Sequence, residues 1–302
     1  PIEANKTGST GHSLTRTASL GSDLRRRTSA GHISRTTTST DFAPRRGSLF
    51  SLEHVLAQST SSDVWYARNE LPGELQDAGV YYEVERHEIQ KRYGRTVVYV
   101  DYYLLNKDLS SRVWELAYEK SDASALLAYN EVSFEKPKPD TDALVQFAST
   151  LGSKAYRTAA SSLNMDFDGQ PTGLVDYVFS KLPSSVVPAV GGKTFGAAIY
   201  RNNDNVDVRK IEQIRPGDIL VVVKGRFEGK TSHLIRTKKV QDLGFGGRPF
   251  VGFVASFSEQ KMKLKVIEQA NDSVRVTSYR LGDFKSGKIR IFRLVERSYI
   301  GW

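Results

Sequence analysis

The sequence predicts an α+β fold in which a strand-rich segment precedes two helices, and the helices precede a second strand-rich half. Three observations carry this. β-Branched and aromatic residues crowd into short runs between residues 63 and 135, apolar residues recur at helical spacing from Leu144 to Tyr156, and strand-like runs dominate from Ala197 onward. That segregation, with no internal repeat, fits α+β rather than a βαβ array.

A chain of 302 residues, 39% hydrophobic and 10% aromatic, has the composition of a globular protein with one sizeable core or two smaller ones. It begins with proline rather than methionine, and no charged and then apolar leader follows, so the N-terminus reads as a cut inside a longer protein. The longest apolar run, Ile219 to Val223, is far short of the roughly 20 residues a membrane span needs. A soluble chain without a membrane span is expected. The absence of cysteine excludes disulfides, thiolate metal sites and thiol nucleophiles together, and is compatible with a reducing cytosol. No metal, other cofactor or small-molecule substrate is implied.

Net charge is +9, and residues 1–50 hold eight Lys/Arg against three Asp/Glu, so more than half of the excess lies in this segment. Residues 1–62 are rich in Ser, Thr, Gly and Arg and poor in periodic apolar residues; they cannot bury enough surface to offset the entropy of ordering. A disordered linker is expected there. Arg25-Arg26-Arg27-Thr28-Ser29 and Arg45-Arg46-Gly47-Ser48 place hydroxyls just after arginines, as basophilic kinases require. Ser19, Thr28, Ser29 and Ser48 are the candidate phosphorylation sites, and phosphate would cancel local positive charge. An unmodified linker is the alternative. The run Ser48 to Leu56 has the pattern of a short amphipathic helix.

Residues 63–135 should form a β-meander. Val80 to Glu85, Thr96 to Leu105 and Arg112 to Tyr118 read as three strands, broken by Lys91 to Arg95 and Asn106 to Asp108 with hairpin-like turn chemistry. Tyr99, Tyr102 and Tyr103 near Arg92 and Arg95 are assigned to packing rather than base stacking, because acidic residues are interleaved.

Residues 136–302 open with a proline-containing link and a helix that Asp140 or Thr141 can cap, its core face carried by Leu144, Phe147, Ala148, Leu151, Ala155 and Tyr156. A second helix is predicted from Pro171 to about Leu182, with proline in its first turn. Strands are predicted at Ala197 to Tyr200, Asp218 to Lys224, Phe250 to Phe257, Lys263 to Glu268, Ser273 to Tyr279 and Lys288 to Val295.

Three pieces of this half have the spacing of an NlpC-type cysteine peptidase, a papain-like fold. The helix start that carries the nucleophile in such enzymes corresponds to Pro171-Thr172-Gly173-Leu174-Val175, so Pro171 stands at the nucleophile position. Arg215-Pro216-Gly217-Asp218-Ile219 resembles the turn into the first strand of the barrel and is intact. Phe250-Val251-Gly252-Phe253 matches the strand that normally begins with the general base, so Phe250 stands at the base position. A third polar residue would lie near Glu268 or Gln269, with nothing left to orient. The resemblance implies a degenerate papain-like (NlpC-type) fold with an antiparallel sheet or partial barrel after the helices, an extra N-terminal β-meander, and a pseudoenzyme whose old groove is either filled by side chains or reused for a peptide, with Phe250 favouring filling.

A closer resemblance runs from about residue 63 to 302. Gly196 to Tyr200, Ile214 to Ile219, Val251 to Val254, Tyr279 to Asp283, Lys285-Ser286-Gly287 and Arg297 to Trp302 are similar to the C-terminal domain of the fungal myosin tail region-interacting proteins. These are SH3-containing scaffolds of cortical actin patches with a cysteine-proteinase-like C-terminal domain. The resemblance implies a cytoplasmic, cytoskeletal place at the actin patch, actin-patch protein partners, and a part in endocytosis and actin assembly with type I myosin. Myosin would be bound by the full-length protein through an SH3 domain outside this chain.

Two surfaces are candidates for binding. One is the old groove with Thr172 and Asp176; the other is the segment Lys224 to Arg248, where Lys224, Arg226, Lys230, Arg236, Lys238, Lys239 and Arg248 face only Glu228 and Asp242. The latter reads either as a solvated glycine-rich loop or as a site for an acidic partner. The rival readings are a hydrolase using Thr172, Asp176 or Glu268, and a nucleic-acid-binding module. The second rests on charge alone.

Overall fold

The computed structural model describes residues 51–59, 64–167, 169–230, 238–270 and 273–302. The candidate phosphorylation sites, residues 1–50 and 60–62 of the expected linker and Arg236 lie outside them; residues 51–59, expected as part of that linker, hold a helix instead, because Leu52 and Val55 find a core to enter. Contacts divide the chain into two compact units, the first reaching Glu135 and the second comprising 107–109 and Lys136–Trp302.

In the first unit, helix α1 (Leu52–Gln58) starts after Ser51, whose hydroxyl oxygen accepts from the His54 amide at 3.2 Å, and it buries Leu52 and Val55. Helix α2 (Gly73–Ala78) ends at Gly79, which takes the left-handed conformation that a helix stop favours. Strands β1 (Tyr81–Gln90), β2 (Thr96–Leu105), β3 (Ser111–Glu119) and β4 (Asp122–Phe134) then pair antiparallel in chain order.

Alternation along β2 and β3 directs Val98, Val100, Tyr102 and Leu104 to the same face as Trp114, Leu116 and Tyr118, where all are buried. Trp65 covers them, edge-on to Tyr102 at 5.2 Å and tilted against Trp114 at 5.9 Å. Tyr102 is therefore core, while Tyr99 stacks on His87 at 5.0 Å. The meander has four strands, not three. Strand β4 opens Ala-Ser-Ala-Leu-Leu-Ala, too poor in β-branched residues to read as a strand, and its pairing with β3 overrides that propensity.

In the second unit the first helix runs from α3 (Thr141–Phe147) through a π-helical turn (Ala148–Gly152) into α4 (Ser153–Ser161). Asp140 caps it, its carboxylate accepting from the Ala143 amide at 3.0 Å. Helix α5 (Gly173–Lys181) begins two residues later than the sequence predicts. Pro171 and Thr172 form the preceding turn, in which the Gly173 amide donates to the Gln170 carbonyl at 3.0 Å.

The remaining strands are β5 (Ala197–Asn203), β6 (Asp207–Lys210), β7 (Ile219–Lys230), β8 (Lys238–Leu243), β9 (Phe250–Ser258), β10 (Lys263–Ala270), β11 (Ser273–Arg280) and β12 (Phe284–Arg293). They form an antiparallel sheet in the order β11-β10-β9-β7-β12-β5-β6, with β8 paired to β7 and no barrel closure. β6 and β8 were not expected. Residues 224–230 and 238–243, predicted as loop, are paired strands instead: β7 pairs with β9 as far as Val222, then bends at Lys224 (φ +50°) and pairs with β8 from Gly225 on.

The Pro216-Gly217-Asp218 turn ties this unit together. Gly217 has φ +87°, and a Cβ there would stand 1.9 Å from the Gly152 carbonyl oxygen, so the π-helical turn and the strand entry meet only because glycine occupies the position. Asp218 is 1% exposed and Arg293 fully buried. Arg293 Nε and Nη2 donate to the two Asp218 oxygens at 2.9 and 2.8 Å; its remaining donors reach the Leu144 and Gln213 carbonyls at 3.2 and 2.7 Å. Burial pushes the Asp218 carboxyl up, opposed by Arg293 and by the Arg215 amide.

Breaking a buried, fully bonded pair from one side costs about 3–5 kcal/mol. Arg293→Met and Asp218→Asn should each lower the denaturant midpoint of the second unit accordingly, measured by tryptophan-independent far-UV dichroism.

Candidate functional site

The start of α5 leaves amides without intrahelical partners, and the helix dipole concentrates positive potential there. In a cysteine peptidase that potential would serve a thiolate. Here Gln269, from β10, reaches the same amides: its Oε1 accepts from the Leu174 amide at 3.1 Å, and its Nε2 donates to the Gln170 carbonyl at 2.7 Å. A neutral amide 95 positions away thus does the capping that Thr172 at the N-cap does not do. Gln269 has work.

The Thr172 hydroxyl instead donates to Asp176 Oδ2 at 2.7 Å, one turn along the helix. Pro171 and Thr172 are both exposed. Phe167 lies directly against Gly173, where an added Cβ would be 2.5 Å from the Phe167 Cβ, and its ring meets Tyr177 at 5.8 Å. The groove wall at the helix start is therefore built from Phe167, Gln170 and Gln269.

Phe250 is not part of it. In register, Glu268 stands opposite Gly252, so Glu268, Gly252 and Phe250 share one sheet face, while Gln269 and Val251 point to the other. The contacts agree: Phe250 packs edge-on to Tyr279 at 5.6 Å, and Tyr279 also meets Phe227. Gln269 and Phe167, rather than Phe250, occupy the space at the helix start.

Glu268 is likewise occupied. It is 2% exposed and accepts from the Tyr279 hydroxyl, from Thr277 Oγ1 at 2.7 Å and from Arg275 Nε at 3.4 Å. Burial, together with the Glu268 carboxylate, pushes the Tyr279 phenol far above its ordinary value. Glu268 therefore serves the inner sheet face and does not meet Thr172. Strand alternation, applied once the β9–β10 register is known, is the signal that separates Phe250 and Glu268 from the helix side. Nothing in the sequence alone marks Gln269 as a helix cap.

Among the described residues no cluster of His, Cys, Asp or Glu could hold a metal ion, and those of the second unit include no histidine. They do line a cleft of about 210 Å³ with Phe227, Gln241, Lys263, Tyr279, Arg280 and Asp283, and this cleft contains none of the helix-start residues.

The basic residues are spread along the β7–β8 arm. Lys224, Arg226 and Arg248 are exposed, and Arg226 pairs with Glu228 at 3.0 Å. Lys230 and Lys238 stand opposite each other in the ladder, with Lys239 opposite Gly229.

Residues 130–302 match the family model described as the AIM3/BBC1 cysteine proteinase-fold domain. The chain belongs to this family. A relative, an SH3 domain-containing protein of Schizosaccharomyces pombe, is 36% identical over 159 residues, which is 52% of this chain and 9% of that protein. The chain thus spans under a tenth of the relative it matches. No solved structure matches. Within this AIM3/BBC1 domain the cysteine proteinase fold is present in a chain without cysteine.

Removing the Gln269 clamp frees the Leu174 amide at the α5 start, while the Gln170 carbonyl keeps the Gly173 amide. Gln269→Ala should cost about 1–2 kcal/mol, in the range of a lost N-cap. Thermal melting of the variant checks this, with Thr172→Ala expected to change stability less.

Proposed function

We propose that this domain is a non-catalytic protein-interaction module, a pseudoenzyme of the cysteine peptidase fold, within a cytoplasmic scaffold of cortical actin patches. The observation that carries the reading is the Gln269 side chain bonded across the start of α5, where a peptidase of this fold would keep its nucleophile. Membership of the AIM3/BBC1 family and the SH3 domain of the fission-yeast relative support a scaffold. On this reading the full-length protein works with type I myosins in actin assembly and endocytosis, binding myosin outside this chain. The residues before α1 serve as the linker, with Ser19, Thr28, Ser29 and Ser48 as its phosphorylation sites, and the folded part begins at α1, whose Leu52 and Val55 are buried.

The surface proposed for partners is the β7–β8 arm, which carries Lys224, Arg226, Lys230, Lys238 and Lys239, with Arg248 following β8; its charge suits an acidic protein. The hydrolase alternative has Thr172 already bonded to Asp176, and Glu268 turned to the other sheet face.

Purified chain incubated with a mixed peptide set should show no turnover above buffer. Turnover that Thr172→Ala abolishes would overturn the pseudoenzyme reading. In extract pull-downs the chain should retain cortical actin proteins, and Lys238→Glu with Lys239→Glu should weaken that retention and flatten its salt dependence. Retention unchanged by the double reversal would remove the arm as the partner surface.

A further inference from the structure

The β1–β2 turn carries a side chain that no packing requirement explains. Tyr93 is 98% exposed, the most exposed of the large hydrophobic residues described, and it sits at φ +62°, ψ +31°. For a bulky residue this left-handed conformation is an outlier that costs about 1–3 kcal/mol. Gly94 beside it also has positive φ, +74°. Two successive positive-φ residues at a hairpin tip are what Asn-Gly supplies at least cost. Tyrosine stands here although its backbone conformation is strained and its ring is exposed to solvent.

Around the ring the charge is positive. Lys91, Arg92 and Arg95 are all exposed, and Lys120, in the adjacent β3–β4 turn, is held close by its backbone amide, which donates to the Thr96 carbonyl at 2.9 Å. Two carboxylates lie nearby, and both are paired: Glu119 with Arg95, and Glu88 with Lys120 at 2.8 Å. Among the described residues neither Lys91 nor Arg92 has a carboxylate partner; Lys91 lies 6.0 Å over the Tyr99 ring.

We propose that this hairpin tip is a membrane-docking element that seats Tyr93 in the interface of an anionic lipid bilayer, with Lys91 and Arg92 on the headgroups. A projecting tip suits a deformable surface, and tyrosine, with an apolar ring and a polar end, favours the headgroup level. Basic side chains beside it gain from the negative surface potential of an anionic leaflet. Single-stranded nucleic acid is the poorer match, because it needs successive stacking platforms. Here Tyr102 is buried and Tyr99 is already stacked on His87. The inference is independent of the reading of the α5 groove.

The test uses the whole 302-residue chain, basic N-terminal segment included. Its vesicles are of phosphatidylcholine with and without phosphatidylserine, and its variant is Tyr93→Asn. Asparagine tolerates the left-handed conformation, so the melting temperature should hold or rise while binding to the phosphatidylserine vesicles falls several-fold. Removing Lys91 or Arg92 by alanine should weaken binding about fivefold each.

Because the chain has no cysteine, Tyr93→Cys accepts a single environment-sensitive dye. Its emission should shift to the blue with phosphatidylserine vesicles and not with phosphatidylcholine alone. The same dye at Val206→Cys, a position 89% exposed in the second unit, should not shift. No blue shift at position 93 would overturn the proposal, as would Tyr93→Asn binding as tightly as the parent. Binding through this tip to an oligonucleotide or a protein but not to vesicles would overturn it as well.

Discussion

Arg293, buried to zero exposure at the end of β12 and gripped at both nitrogens by Asp218, is the interaction on which the second unit depends. It joins three pieces of chain distant in sequence. Asp218 brings the turn into β7, Arg293 the last strand of the sheet, and the Leu144 carbonyl the first helix. A guanidinium so deeply buried is tolerable because all three of its nitrogens donate to oxygens, two of them from the Asp218 carboxylate. Glycines at 217 and 196 permit the close approach: a Cβ on Gly196 would stand 2.2 Å from the Arg293 carbonyl oxygen.

That hub stands within the cysteine proteinase-fold domain, in a chain without cysteine. The positive end of α5 still needs a partner, and an uncharged amide from β10 supplies it. A glutamine suits this place because it offers an acceptor to the Leu174 amide and a donor to the Gln170 carbonyl at once. Thr172, which stands at the N-cap, spends its hydroxyl on Asp176. Chemistry and capping have thus been separated from one another along the same short segment.

The α+β order, the core face of the first helix and most strand positions are legible in the sequence, because each follows from local periodicity or from a turn. Strand β4 is not, since Ala123 to Ala128 lack strand propensity and take their conformation from β3. The β7–β8 arm reads as a loop because its lysines and glycines hide a ladder that only pairing reveals. At the site, the face of each residue is a property of register, which spacing along the chain does not show. Phe250 consequently belongs with Tyr279 and Glu268. The role of Gln269 depends on a contact across 95 residues, beyond the reach of any local pattern.

The reactivity of a thiol placed at position 171 tests the central claim, that Gln269 occupies the helix start, most directly. In a cysteine-free chain Pro171→Cys is the single thiol, and its alkylation rate against pH reports its acidity. With the amides already engaged, the thiol should titrate near the ordinary value of about 8.5 and show no peptide hydrolysis. A thiol ionising below about 7, as in working cysteine enzymes, would show the helix start still open and contradict the account.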